Sequence, residues 1–242
     1  MSVRRTYLGL TLSAGVLFGC GPRHAQEANN AHVAVPTASV QALKPNDDES
    51  NAIPSHPRRP TCEYPNYGPH GGFSNPEVEA AVRLRLKKPN GYITTAELRG
   101  IDAIIILESR DPLDLHFLSC TPKLEVLYLD HSQISDLTPL SGLRGLVNLQ
   151  LVENQISDLT PLSGLSKLRS LQLNRNQISE LTPLSGLHNL LSLNLGDNQI
   201  SDLGPLSGLD KLDALKLEKN QIRDLSPLSQ LTSLDYLILS KN

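Results

Sequence analysis

The sequence has little aromatic character and few cysteines. Aromatic residues make up 4% of its 242 residues, tryptophan is absent, and methionine occurs once. A core of interlocking large rings is therefore excluded, and the abundant leucines predict a regular aliphatic core of stacked, similar layers. The apolar run at 7–18 is also too short to span a bilayer, which takes about 20 residues.

An excess of positive charge is also missing. The chain carries 22 lysines and arginines against 25 aspartates and glutamates, a net charge of −3. Binding to nucleic acid requires a positive field that attracts phosphate groups. The composition therefore predicts no nucleic-acid partner.

The N-terminus has the order of a targeting segment. Arg4 and Arg5 precede the apolar run, which ends in LFGC. This ending resembles the lipobox of bacterial lipoproteins, which implies that residues 1–19 are a signal peptide and that Cys20 carries a lipid. The resemblance implies an exported chain anchored to a bacterial membrane, at the outer membrane or the cell surface. The alternative is an ordinary secretory signal with an incidental cysteine.

Cys62 and Cys120 are the remaining cysteines. An even pair in an exported chain is a candidate disulfide, and two buried free thiols are the alternative. Neither cysteine, and none of the histidines, has neighbours at the spacing of zinc ligands. The sequence therefore predicts no metal site and no cofactor.

Residues 20–72 differ in composition from the rest of the chain. Eight prolines and many small or polar residues, without a sustained apolar period, predict a flexible, proline-rich tether. For the part from Cys62 onward, packing against the folded domain is the alternative.

Folded structure is predicted to begin with helices at 73–100. Asn75 is the predicted N-cap of a first helix that ends at Pro89. A capping box formed by Thr94 and Glu97 predicts a second, short helix. Four basic residues of the first helix indicate a solvated face, with an anionic partner surface as the alternative: Arg83, Arg85, Lys87 and Lys88.

Residues 101–242 repeat a 22-residue pattern, with a degenerate first copy, five full copies from residue 124, and a final half copy. The consensus L-x-x-L-x-L-x-x-N-x-I-x-D-L-x-P-L-x-x-L-x-x has the period and leucine spacing of leucine-rich repeats. The isoleucine after the asparagine and the DLTPL beyond it resemble the bacterial internalin family. The segment NPEVEAAVRLRLKKPNGYITTAEL resembles the helical cap that precedes such repeats in related bacterial surface proteins.

The pattern predicts an α/β fold: a right-handed leucine-rich repeat solenoid with a helical N-terminal cap. Each repeat contributes one parallel strand and a 3₁₀ or irregular return, in which Thr160 is expected to cap the turn before Pro161 and Gly164 to let the chain turn back. The asparagines that end the strands are expected to bond backbone groups of adjacent copies in a ladder: Asn154, Asn176, Asn198 and Asn220. A column of acidic residues is expected to accept local backbone N–H groups, with a cation-binding ridge as the alternative: Asp136, Asp158, Glu180, Asp202 and Asp224.

The strand side chains that point away from the core, with the residues just after each strand, form a surface that we call the concave face. Its candidate ligand-binding residues are Val126, Tyr128, His131, Gln150, Val152, Gln172, Arg175, Asn194, Lys216 and Tyr236. One column alternates in charge and predicts cross-strand pairs: Glu153, Arg175, Asp197 and Lys219. Tyr128 and Tyr236, at the two ends of the concave face, are candidate binding hot spots. The alternative is that these positions have merely drifted from the consensus of a purely structural repeat.

This face assembles no nucleophile with a base and an orienting group, so the sequence predicts no enzyme. The family resemblance implies recognition of a protein or peptide on the concave face. The alternative is a structural or assembly protein, or a truncated paralogue, that forms a homo-oligomer through its uncapped C-terminal strand.

Overall fold

The computed structural model describes Phe73 and residues 75–242, all within one compact unit. Two helices come first, α1 (Pro76–Leu86) and α2 (Thr95–Leu98). The strands that follow are β1 (Ala103–Ile106), β2 (Val126–Leu129), β3 (Asn148–Gln150), β4 (Ser170–Gln172), β5 (Ser192–Asn194), β6 (Ala214–Lys216) and β7 (Tyr236–Ile238). Short 3₁₀ segments lie between them at His116–Cys120, Thr138–Leu140, Thr160–Leu162, Thr182–Leu184, Gly204–Leu206 and Ser226–Gln230. In this part of the chain, no helix has the length and apolar character of a membrane span.

Helix α1 begins at the predicted cap. The Oδ1 atom of Asn75 accepts hydrogen bonds from two backbone N–H groups of the first turn, at 3.0 and 3.1 Å. The predicted end is wrong, because Lys87 adopts a left-handed conformation with φ of 53° and stops the helix before Pro89 is reached. The Asn75 amide also donates to the Ser109 hydroxyl at 3.2 Å, so the helix start is tied to the segment after β1.

Helix α2 begins with the predicted capping box. Thr94 Oγ1 accepts the Glu97 N–H at 3.2 Å, and Glu97 Oε2 accepts the Thr94 N–H at 2.7 Å. Lys88 Nζ donates to the other Glu97 oxygen at 2.8 Å. These bonds, that of Lys88 foremost, lower the pKa of Glu97 from 4.5 to about 2. The turn between the two helices is therefore held by a carboxylate that stays ionised.

The strands form a seven-stranded parallel sheet in which each strand pairs with the next along the chain. Leu127 lies opposite Leu149, which in turn lies opposite Leu171, so the full copies stack in exact register. The inward leucines and isoleucines of successive copies form one continuous buried core. Because each layer buries its leucines only against its neighbours, the repeat itself generates the solenoid. The predicted fold class is confirmed.

The return segments differ in detail from the prediction. Thr160 does not cap the turn; it is the first residue of the 3₁₀ segment, and Asp158 Oδ1 accepts its N–H at 2.8 Å. Gly164 has no left-handed conformation, and a side chain there would meet open space, so the turn does not require glycine. Gln230 occupies the same position in the last full copy.

The acidic column satisfies local backbone groups, as the favoured interpretation predicted. Each carboxylate accepts the N–H two residues further on, at 2.8 or 2.9 Å: Asp136, Asp158, Glu180, Asp202 and Asp224. Hydrogen bonds to Thr138 and Thr160 are the main cause of the lowered pKa values of Asp136 and Asp158. These carboxylates therefore act as caps of the 3₁₀ segments.

Cys120 is buried and disulfide-bonded. Cys62 and the predicted lipid site Cys20 lie outside the described residues, as do the predicted signal peptide and nearly all of the tether. Pairing of Cys62 with Cys120 therefore stays a prediction.

Candidate binding surface

A ladder of asparagine side chains fixes the backbone at the ends of the strands. Asn198 is representative: its Nδ2 donates to the carbonyl oxygens of Leu195 in its own copy and Leu173 in the preceding copy, both at 3.0 Å. Its Oδ1 accepts the N–H of Ile178 at 3.0 Å. The bonds to the preceding copy recur at Asn154, Asn176, Asn220 and Asn242. The concave face is thus built on a backbone that is already ordered.

Strand pairing arranges the outward side chains in straight columns. The first column is Ala103, Val126, Asn148, Ser170, Ser192, Ala214 and Tyr236, and the second is Ile105, Tyr128, Gln150, Gln172, Asn194, Lys216 and Ile238. Val152, His131 and Arg175 follow the strands rather than lying in them. The structure therefore brings the candidate residues onto one face, and ligand binding by them stays a prediction.

The charged column lies just beyond the strands, where the chain turns toward the ladder. Its members all have left-handed backbones, with φ from 48° to 64°: His131, Glu153, Arg175, Asp197, Lys219 and Lys241. Arg175 donates to Glu153 at 2.7 Å, and Lys219 donates to Asp197 at 2.9 Å, which confirms the predicted cross-strand pairs. The bond from Arg175 lowers the pKa of the Glu153 carboxyl. Because neighbours neutralise each other, this column does not favour a single strongly charged ligand.

Gln150 and Gln172, at the middle of the concave face, differ in how strongly their amide groups are hydrogen-bonded within the protein. The buried carboxylate of Asp130 accepts the Val152 N–H at 2.8 Å and a short hydrogen bond from the Gln150 amide. The Gln172 amide has only a 3.4 Å contact with the Ser170 hydroxyl. Gln172 is therefore the residue whose amide is more available to a ligand.

The C-terminal half of the concave face combines charge with an aromatic ring. Lys216 Nζ lies 5.7 Å from the centre of the Tyr236 ring, within the range of a cation–π contact. Next to it, Gly196 leaves room for the carboxyl group of Glu218, whose Cδ lies 2.7 Å from the place of a Cβ. The Glu218 Oε2 atom is buried there without a hydrogen bond among the described residues.

The opposite end, next to α1, is apolar, and the sequence interpretation missed it. Three aliphatic residues there are strongly exposed: Leu84 at 81%, Ile105 at 51% and Leu107 at 59%. The register of β1 explains why Ile105 is exposed: Ile105 pairs with Tyr128, which lies 23 residues later, whereas the full copies are 22 residues apart. A strict 22-residue period would instead turn Ile105 inward, since a one-residue shift reverses the face of every strand side chain. The run AIII at residues 103–106, with its β-branched isoleucines, is the sequence feature that could have indicated a strand at this position.

Within residues 75–242, no three histidine, cysteine, aspartate or glutamate side chains come together in a way that could hold a metal ion.

Comparison with known families identifies the layers. The model of two-copy leucine-rich repeats matches residues 122–164, 144–187, 166–211 and 188–230. Residues 122–230 are leucine-rich repeats. The strand, the asparagine and the 3₁₀ return of each copy are thus the parts of one leucine-rich repeat, and β1 adds a degenerate layer before them.

Among solved structures, two internalins from Listeria monocytogenes have similar leucine-rich repeat solenoids. Internalin C2 is 29% identical to this chain with a TM-score of 0.56, and the match covers 69% of this chain and 94% of that one. A second internalin, inlF, is 32% identical with a TM-score of 0.57, and the match covers 68% of this chain and 56% of that one. The chain is therefore a leucine-rich repeat protein whose solenoid is similar to those of these two internalins.

A plant protein has a related fold. The leucine-rich repeat ectodomain of the receptor kinase GASSHO1/SCHENGEN3 from Arabidopsis thaliana, solved in complex with Casparian strip integrity factor 2, is 27% identical with a TM-score of 0.54. That match covers 59% of this chain and 19% of the plant chain. No curated protein sequence matches this chain.

Proposed function

We propose that this protein is a non-catalytic binding module that recognises a protein or peptide through its concave face. One observation carries the proposal: the core and ladder positions are nearly identical from copy to copy, whereas the outward strand positions vary along the sheet. Structural positions need nearly identical side chains in identical layers, so an ordered face whose side chains vary from copy to copy is available for another role.

The chemistry of the face supports recognition of a polypeptide. Its middle presents amides and hydroxyls, including Gln172, Asn194 and Ser192, which can donate to and accept from an extended backbone. Its ends carry larger groups, Tyr128 and Tyr236, of the kind that dominate binding energies. The plant ectodomain with a similar solenoid was solved with a bound partner, which supports the same class of function.

A capture experiment tests the proposal. The full chain is used to retain proteins from cell and medium extracts, in parallel with the Tyr128→Ala and Gln172→Ala variants. We expect retention of a specific partner to fall at least about ten-fold in the variants, because a side chain at the centre of an interface contributes more than about 1.4 kcal/mol.

Gln177→Ala is the matched control, since Gln177 is exposed just beyond the ladder and makes no side-chain hydrogen bond within the described structure. Equal capture by all four proteins would remove the concave-face proposal.

We further propose that the module is exported and anchored to a bacterial membrane through lipid on Cys20, at the outer membrane or the cell surface. The support is the basic and apolar N-terminus that ends in LFGC. A Cys20→Ser variant should then leave the membrane fraction and should not incorporate labelled fatty acid. A protein that stays in that fraction without Cys20 would contradict the anchor.

Self-association is a second candidate function, favoured by the outer edge of β7. Leu225, Tyr236 and Leu237 are between 41% and 49% exposed, whereas Leu215, at the register position of Leu237 in β6, is fully buried. A hollow of about 650 Å³ lies at the same edge, beside Asn220 and Asn242. A second copy that pairs with β7 would cover these groups.

A further inference from the structure

We propose that the cap end of the concave face holds an aliphatic side chain of the protein ligand, and that Lys87 binds a carboxylate beside it. The inference rests on the proposed function and specifies the ligand: a segment in which an aliphatic residue lies next to an aspartate or glutamate. The site is the cap hollow, lined by Ala81, Leu84, Arg85, Lys87, Ala103 and Ile105.

The size of the cap hollow fits one side chain. It encloses about 200 Å³ between the C-terminal half of α1 and the outward face of β1. Clefts that hold whole small-molecule ligands are larger, roughly 300–1,000 Å³. The occupant is therefore a group presented by a larger partner rather than a free small molecule.

The walls of the hollow are mostly apolar, whereas the middle of the concave face is polar. Leu84 and Ile105 are both largely exposed, and Leu107 directly follows β1. Single exposed leucines are common on protein surfaces, but two large aliphatic side chains that line one hollow form a site for an apolar group. Burying both against a ligand removes apolar area from water, which favours binding.

The rim of the hollow carries one uncompensated positive charge. Three of the four basic side chains near the end of α1 have carboxylate partners: Arg83 with Glu79, Arg85 with Asp102, and Lys88 with Glu97. Lys87 lines the hollow and makes no ion pair with any described residue. A carboxylate close to the aliphatic group would complement this charge.

The hollow is continuous with the rest of the concave face. Ile105 lies opposite Tyr128 in the sheet, and Tyr128 lies opposite Gln150. An extended ligand that places its aliphatic residue beside Ile105 would therefore run on over the tyrosine to the amides of β3 and β4. This continuity identifies the occupant as part of the ligand that the concave face binds.

Selection from a random peptide library displayed on phage tests the inference with the full chain as bait. We expect the selected peptides to combine leucine, isoleucine, valine or methionine with a neighbouring aspartate or glutamate. Their affinity should fall at least about ten-fold for Ile105→Glu, which places a charge in the apolar hollow. For Lys87→Glu we expect a loss of about three- to five-fold, and exchange of the peptide carboxylate for lysine should restore binding.

Two charge-matched controls lie outside the hollow, Leu191→Glu and Lys167→Glu, and both should bind like the wild type. Leu84→Ala is a second hollow variant whose folding is not at risk, because its side chain is 81% exposed. Peptides without the aliphatic and acidic pair, or peptides insensitive to Ile105→Glu and Leu84→Ala, would overturn the inference.

The two proposals fail in distinguishable ways. If the selected peptides lose affinity with Gln172→Ala but not with the hollow variants, the proposed function stands and the cap hollow is not part of the site. If no peptide depends on either region, both are wrong. If the full chain is a dimer that Ile105→Glu converts to a monomer, a second copy occupies the hollow, and the ligand inference is overturned.

Discussion

Asn198→Ala should lower the free energy of unfolding of the full chain by about 3–5 kcal/mol, as measured by urea denaturation followed by circular dichroism. The substitution removes the bonds that Asn198 makes with Ile178, Leu173 and Leu195. It leaves the buried Ile178 N–H without a partner, whereas the Leu173 and Leu195 carbonyl groups each keep one bond, from Asn176 and from Asn220, both at 2.9 Å. The unsatisfied N–H costs about 1–3 kcal/mol, and each lost bond to a carbonyl group costs about 0.5–1.5 kcal/mol, which together account for the expected loss.

Asn189→Ala is the matched control for this substitution. Asn189 is exposed, donates to the Ser166 carbonyl at 2.9 Å and accepts from Lys211 at 2.8 Å. Because water can replace both bonds, we expect a change within about 0.5 kcal/mol. A similar loss in both variants would contradict a structural role for the ladder.

Leu215→Ala should cost about 2–5 kcal/mol in the same measurement, because it opens a cavity between two covering layers. Leu237→Ala is the same change at the next register position, but Leu215 is 0% exposed and Leu237 is 41% exposed. The loss at Leu237 should stay below about 1 kcal/mol, since less apolar area leaves water there on folding.

This comparison also separates the two candidate functions. In a chain that self-associates through β7, the partner would bury Leu237, so both substitutions would cost a similar amount. Light scattering would then show a dimer that Leu237→Ala dissociates. A monomer with a small loss at Leu237 would count against self-association through this edge.

The strict repeat explains why so much of the fold could be predicted from the sequence. Every buried leucine of the full copies has an equivalent 22 residues away, so a single register satisfies all layers at once. The cap of α1 at Asn75 and the capping box of Thr94 were predictable for a different reason, because both are local hydrogen-bond patterns.

Features that depend on departures from the repeat could not be predicted. The offset of 23 residues between β1 and β2 is visible only once the strands are paired, and it decides that Ile105 points outward. Lys87 ends α1 in a left-handed backbone conformation, which sequence preferences assign to glycine or asparagine rather than to lysine. The sequence shows that Ser132 interrupts the ladder, but it does not show that the Gln133 amide donates to the Arg110 carbonyl of the earlier copy at 3.1 Å.

For the candidate site, too, some features could be predicted from the sequence and others could not. The columns of the concave face follow from strand alternation, so Gln172 and Asn194 could be placed on it in advance. Their availability could not, because it depends on which amides the fold itself uses. Gln150 is bound to Asp130, whereas Gln172 makes only a long contact with Ser170.

Site-specific photo-crosslinking tests the central claim most directly, because it reports which surface touches the partner. A photoreactive amino acid replaces Ser192, which lies on the concave face beside Asn194, or Gln177 beyond the ladder, and the full chain is irradiated with the captured partner. We expect the partner to be cross-linked from position 192 and not from position 177. Cross-linking from 177 alone, or equally from both, would contradict recognition through the concave face.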